Sequence, residues 1–549
     1  MRTLSALLLF ASPLAASNAQ WTNNTLLNTS VRSGAGVDAV TPLMTDRFDG
    51  STYVSWFDNQ PGGYQLRMQR LDENGYALWG AEGLIVSDHP QNSALFRYDL
   101  AVDGSGDAIV AFQDERSGQL DVVVYKVSAS GDMLWGADGI TLTDAGSVQG
   151  LAPVIGVLPN NDVLIAWNAN DGASAKWIPY QLISEAGDPQ WPSPHQVIGA
   201  NGFSRPEVVP TLDGFVLFYV EETGSFPFTS NMFAQRFDVT GSALWPTPTQ
   251  VSTKTIPVFY FPQPVRDGHN GLYVAFNTGN PDNPALGDVY VQRVRANGGT
   301  WSAAGTQAIT GTTTQRFGGP LTLLNDMMGL MLPVQVTNTA QSAGGWNVQR
   351  LDTSGVTQFG PSGDEVVAQS AALPSPDDVT NISDGCIVVY SEGGFGQQQV
   401  KAARIGVAGN TVWDLALCTV NSNKDDVGCG RIGNAGQLVT VWQDDRTAAG
   451  VYAQNVSLEG DLGTGMAPFA AESTASIRAV VIAPGTVDLF TVGVTEQLGQ
   501  LRVLDAVGRL VRSLPVNNGH ARLTLPTPGV YMAELVTSTK RSTVRFAAP

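Results

Sequence analysis

Three stretches decide the fold: Asn74-Gly75-Tyr76-Ala77-Leu78-Trp79, Ser130-Gly131-Asp132-Met133-Leu134-Trp135 and Thr240-Gly241-Ser242-Ala243-Leu244-Trp245. Each is a glycine turn followed, four residues on, by a tryptophan. They belong to one series, Trp21, Trp79, Trp135, Trp191, Trp245, Trp301, Phe359 and Trp413, whose members lie 54 to 58 residues apart. A second mark, an apolar run ending in an aromatic, precedes most of them: Tyr53 to Trp56, Ala108 to Phe112, Val163 to Trp167, Phe215 to Tyr219, Leu272 to Phe276 and Cys386 to Tyr390. Between the marks the chain alternates, as in Met68-Gln69-Arg70-Leu71-Asp72 and Ala234-Gln235-Arg236-Phe237-Asp238. Period-2 alternation bounded by Gly, Asn and Asp is a strand signal.

A unit of this length holds about four strands, the content of one propeller blade. The two ends complement each other. The first unit has its Trp21 strand without the strands before it, whereas the last, Leu438-Val439-Thr440-Val441-Trp442, lacks the following Trp. Joined, they make one blade from both termini and leave no unpaired edge. The expectation is an all-β chain: an eight-bladed β-propeller over residues 20–463, a linker over 464–476, and a small C-terminal β-sandwich over 477–549. An open array of stacked sheets is the alternative.

Composition agrees with a turn-rich β protein. Charged residues make up 14% of the 549, hydrophobic ones 43%, and there are 60 Gly, 31 Pro and 12 Trp. The net charge of −19 repels phosphate, so neither nucleic acid nor an anionic membrane is an expected partner. Residues 1–19 read as a secretory signal: Arg2, an apolar stretch from Leu4 to Ala15, then Ser17-Asn18-Ala19 before the cleavage point. No later run approaches the length needed to span a bilayer, and a secreted or cell-surface protein is expected. Of three cysteines, Cys418 and Cys429 could close a short loop in an oxidising compartment, while Cys386 reads as a small core residue. With four scattered histidines they give no metal-ligand spacing, and no metal, cofactor or catalytic residue is assigned.

The last residues carry Asp505-Ala506-Val507-Gly508-Arg509, the element Leu525 to Gly529-Val530-Tyr531, and Lys540-Arg541 before Val544-Arg545-Phe546. This order resembles the type A sorting domain of type IX secretion, with Ala483-Pro484-Gly485-Thr486 standing where that family has an Asn-Pro start. The resemblance implies that Asp505, Gly508, Arg509, Gly529, Tyr531, Lys540 and Arg541 form a sorting signal read by outer-membrane secretion machinery. Asp238 to Trp245 is similar to the docking motif of quinoprotein propellers, an architectural likeness only, since the chain has no adjacent cysteine pair. Gln113-Asp114-Glu115-Arg116 and Gln443-Asp444-Asp445-Arg446 are read as local Asp–Arg turns rather than a shared site. The functional expectation is a non-enzymatic binding or display module for an unidentified extracellular ligand or protein. The alternative is an extracellular glycan-acting enzyme with its site at the channel mouth. Buried acids or arginines there would favour the enzyme, and a smooth, turn-lined channel would favour binding.

Overall fold

The second strand of most repeats is buried on both faces, so it must be covered from two sides. Ala108–Asp114 and Asp121–Val127 are buried at every position. A sheet of such strands is stable only when sandwiched between others. The computed structural model meets this demand with a succession of four-stranded antiparallel sheets. It describes residues 21–549 except 92, 93, 95, 144, 145, 280–286, 311–313, 325–328, 434, 435, 464–475, 484, 485, 493–499, 506–509, 516–519, 526–528, 537–540 and 549. The chain divides into two units, Met1–Thr464 and Gly465–Pro549. Among the described residues no helix is long and apolar enough to cross a membrane.

The first unit contains eight such sheets among its described residues. Their first strands are Ala39–Asp46, Asp99–Val102, Gln149–Val157, Gly202–Pro210, Val265–Arg266, Thr314–Gly318, Ser375–Ile382 and Lys424–Cys429. Seven sheets run in chain order, the sixth gaining the short extra strand Thr322–Leu323. The eighth takes its outer strand from the other end of the chain. Thr29–Ser33 pairs antiparallel with Gly450–Ser457, setting Thr29 opposite Ala453 and Ser33 opposite Gly450. Apolar cores lie between successive sheets. One joins Tyr53 and Phe57 to Val110 and Tyr125, and another joins Ile109 and Val124 to Ile165 and Trp167. A further core packs Trp21, Val439 and Val441 against Val54 and Trp56, so the last sheet meets the first.

The tryptophan series lies between these sheets. The sequence places these residues on strands, but most sit in the bend before a sheet's outer strand, Trp413 on Thr411–Ser422 being an exception. The reason is a repeated glutamine. Gln69 Oε1 accepts the backbone N–H of Trp79 at 2.9 Å while its Nε2 donates to the Gly80 carbonyl, and Gln292 holds Trp301 in the same way. Each indole then points into the following repeat. Trp79, Trp135, Trp245, Trp301 and Trp413 donate from Nε1 to the carbonyls of Ala129, Glu185, Ala296, Thr353 and Leu458. Trp21 does so to Glu73, and the Phe359 ring lies against Gly409. The turn glycine is required at this contact. At Gly187, with φ of 100°, an added Cβ would lie 2.7 Å from the Trp135 ring. Trp135→Ala should therefore cost about 3–5 kcal/mol. Chemical denaturation measures it, and an unchanged midpoint would show that the indole ties nothing.

In the second unit, Ser476–Ala483, Thr486–Val492 and His520–Thr524 form one sheet; Leu510–Pro515, Gln500–Asp505, Gly529–Val536 and Arg541–Ala548 form another. Asp505 pairs with Tyr531, which is buried, while Gly529 and Arg541 open their strands. Gly508, Arg509 and Lys540 of the expected sorting signal, and the expected signal peptide, lie outside the described residues. The three cysteines are free thiols. Cys418 sits on the outer strand of the seventh sheet and Cys429 on the first strand of the eighth, and the loop closure that the sequence permits is not made. Burial pushes the Cys386 thiol up to about 12.

Candidate functional site

First strands of neighbouring sheets touch one another: Ala39–Asp46 meets Asp99–Val102 and Lys424–Cys429, and Gln149–Val157 meets Asp99–Val102 and Gly202–Pro210. They form the inner wall. Several carry a β-bulge at which a residue other than glycine takes a left-handed conformation: Thr41 (φ 51°), Ala152 (φ 48°), Arg205 (φ 55°) and Asp426 (φ 50°). Such bulges re-aim side chains and persist only when neighbours hold them. At three of these four the neighbour is the polar residue following the aromatic of the preceding sheet. Gln443 Oε1 accepts the Thr41 N–H at 3.1 Å, Gln113 Oε1 that of Ala152 at 3.1 Å, and Asn168 Oδ1 that of Arg205 at 2.8 Å. Within the two Asp–Arg motifs Arg116 Nε donates to Asp114 Oδ2 at 2.9 Å and Arg446 pairs with Asp444, Arg446 also donating to Asn28 Oδ1 at 3.1 Å.

A cleft of about 810 Å³ opens over the bulged ends of the third and fourth sheets. Arg97, from the segment entering Asp99–Val102, lines it and forms an ion pair with Glu207 on Gly202–Pro210, which lies outside the lining. Asp99 accepts the N–H groups of Ile155 and Leu100, each at 2.8 Å. Burial raises both carboxyls above their ordinary range; Arg97 opposes this, and the charge of Asp99 adds to the rise at Glu207. Glu207 thus retains its proton to higher pH than a free glutamate.

A second ionic group lies further out. Arg205 donates to Glu222 Oε1 at 2.9 Å, to Ser230 Oγ at 3.0 Å and to the Tyr260 carbonyl at 2.9 Å, bracing the loop that carries the outer wall. Lys176 Nζ donates to Glu222 Oε2 at 3.0 Å. Burial pushes the Glu222 carboxyl up, but hydrogen bonds from Lys176 and Ser204 together with the Arg205 charge outweigh it, so Glu222 stays ionised. The outer wall is aromatic: Phe226 and Phe228 from the loop after Gly214–Thr223, and Phe259 and Phe261 from the segment before Val265–Arg266.

Acids also line the wall elsewhere. Asp46, Asp377, Asp378 and Asp426 stand on the first strands of the first, seventh and eighth sheets, all raised chiefly by burial, Asp377 to about 7. Among the described residues no group of three or more His, Cys, Asp or Glu could hold a metal ion.

None of the sequence-selected positions lies in the cleft. The tryptophans tie sheet to sheet, and the described tail residues belong to the other unit. Sequence reasoning missed Arg97, Lys176, Arg205, Glu207 and Glu222. The signal that could have found the cleft is the pair of aromatic triplets Phe226-Pro227-Phe228 and Phe259-Tyr260-Phe261, set in turn regions where a core strand was not due.

No protein-family model matches the chain, and no curated protein matches it in sequence. Solved structures do resemble it. A PL25 ulvan lyase is 11% identical with a TM-score of 0.40, over 81% of this chain and 97% of that one. The polysaccharide lyase Uly1 is 9% identical with a TM-score of 0.42, over 77% and 90%. The Bombyx mori GH32 β-fructofuranosidase is 10% identical with a TM-score of 0.31, over 77% and 93%. At this level each is a likeness of fold alone, and the activities belong to those proteins. The expectation of a non-enzymatic binding or display module is nevertheless corrected. The inner wall carries buried acids and arginines instead of a smooth, turn-lined surface.

Proposed function

We propose that this chain is an extracellular glycan-acting enzyme whose reaction takes place in the cleft over the third and fourth sheets. The observation that carries the reading is the carboxyl of Glu207, raised by burial and by the charge of Asp99, which pairs with Arg97 of the cleft lining. A carboxyl that keeps its proton to higher pH than a free glutamate can protonate a departing sugar oxygen, and a bonded arginine orients it. The aromatic wall offers flat apolar faces to pyranose rings. Incubation of the purified chain with a panel of polysaccharides tests the reading, the new chain ends being assayed both as reducing sugars and as unsaturated sugars. Either product supports it, and neither product from any polymer contradicts it.

The scaffold is read as an eight-bladed propeller closed by both termini, supported by the core joining the last sheet to the first. Residues 477–549 are read as a small sandwich, supported by the contact of Ser476–Ala483 with Arg541–Ala548, and as the export address addressed to outer-membrane secretion machinery. Cells producing the chain without residues 477–549 should retain a folded first unit in the periplasm; delivery outside without the tail would overturn that assignment.

A further inference from the structure

We infer that the cleft takes an acidic glycan, a polysaccharide bearing carboxylate or sulfate groups; this rests on the glycan reading above. The charge a ligand can reach there is positive. Arg97 and Lys176 both line the cleft, and in each of their ion pairs the cation is the more exposed partner. The Lys176 side chain is 42% exposed and Glu222 8%; Arg97 is 33% exposed and Glu207 15%. The accessible charge of the cleft is therefore positive, although the whole chain carries −19. A polyanion gains nothing from the acidic molecule at large, so a cationic strip is where it can settle.

The rest of the cleft says what kind of polyanion. Lys176 Nζ lies 4.7 Å from the Phe228 ring centroid, so the cation and the aromatic wall form one surface. Phe226 and Phe259 stand 6.2 Å apart, centroid to centroid, and are 65% and 78% exposed. Exposed phenyl rings gathered on one wall mark a docking surface. A sugar ring presents an apolar C–H face to such rings and carries its charge at the rim, where Lys176 and Arg97 stand. An acidic peptide offers the charge without a flat apolar face at regular intervals, and a neutral glycan brings no charge to the exposed sides of Lys176 and Arg97.

Lys176→Gln is the decisive variant. Glu222 keeps Arg205 at 2.9 Å and Ser204 Oγ at 2.9 Å, so no carboxylate is orphaned, and the unfolding midpoint checks that the fold is intact. The measurement is affinity electrophoresis of the full chain in gels containing polygalacturonate, a carrageenan, a neutral hydroxyethyl cellulose or poly-glutamate. Retardation by an acidic polysaccharide is expected, falling as salt rises, and Lys176→Gln should weaken it about fivefold with a flatter salt dependence. Phe259→Ala should weaken it about as much, through lost stacking. Retardation by the neutral polymer alone, or no change in Lys176→Gln, overturns the inference while leaving the glycan reading in place. Poly-glutamate held as tightly as polygalacturonate overturns it in favour of a peptide ligand. A chain held by none of the four polymers refutes it.

Discussion

A chain lacking residues 20–34 is expected to lose the cooperative fold of the whole first unit rather than one edge of it. The segment does three jobs. Thr29–Ser33 closes the eighth sheet against Gly450–Ser457. Trp21 and Val31 fill the core between the eighth sheet and the first, and Trp21 Nε1 donates to the Glu73 carbonyl at 3.0 Å. Asn28 donates to the Leu417 carbonyl at 2.8 Å and to Gln454 Oε1 at 3.0 Å, so the strand is also fixed to the seventh sheet. Removing one buried Trp and one buried Val costs about 4–6 kcal/mol on its own, comparable to the entire stability of many proteins. The exposed edge of Gly450–Ser457 then becomes a template for association. Urea unfolding and light scattering measure both effects; a truncated chain with the midpoint of the intact one would rule out closure through this strand.

The second large effect is catalytic. Glu207→Gln preserves the shape of the side chain and a hydrogen-bonding group for Arg97 but has no proton to give. General acid–base catalysis contributes roughly 10²- to 10⁴-fold, so turnover should fall by about that factor while substrate binding stays within a few-fold. The pH dependence has a definite sign. Because burial raises the Glu207 pKa, the proton is present below that value, and activity in the intact chain should decline as pH rises through it. In Glu207→Gln the residual rate should lack that decline. Stability runs in the same direction. A carboxyl with a raised folded-state pKa stabilises the fold below its unfolded value and loses that contribution as pH rises through the folded one.

What could be read from the sequence is what repeats locally. A glycine turn four residues before a tryptophan, and an apolar run ending in an aromatic, identify strands and their number because each unit meets the same packing problem. The pairing of Thr29–Ser33 with Gly450–Ser457 was foreshadowed too, since Trp21 and Leu438 to Trp442 read as halves of one unit. The bends that hold the tryptophans were not legible, because they depend on Gln69 and its counterparts bonding to a backbone ten residues away. The cleft was hidden for a deeper reason. Arg97 and Glu207 are 110 residues apart and meet across an intervening sheet, and Arg205 points as it does because Asn168 holds its bulge. No spacing in the chain records such a meeting. Gln113 illustrates the converse: noticed as part of a charged turn, it acts as the clamp on Ala152.

The most direct test of the central claim is size-exclusion chromatography of polysaccharides incubated with the intact chain and with Glu207→Gln side by side. At least one polymer should be shortened by the intact chain and left at full length by the variant over the same period. Polymers left intact by both proteins, or shortened equally by both, would contradict a glycan-acting site at Glu207.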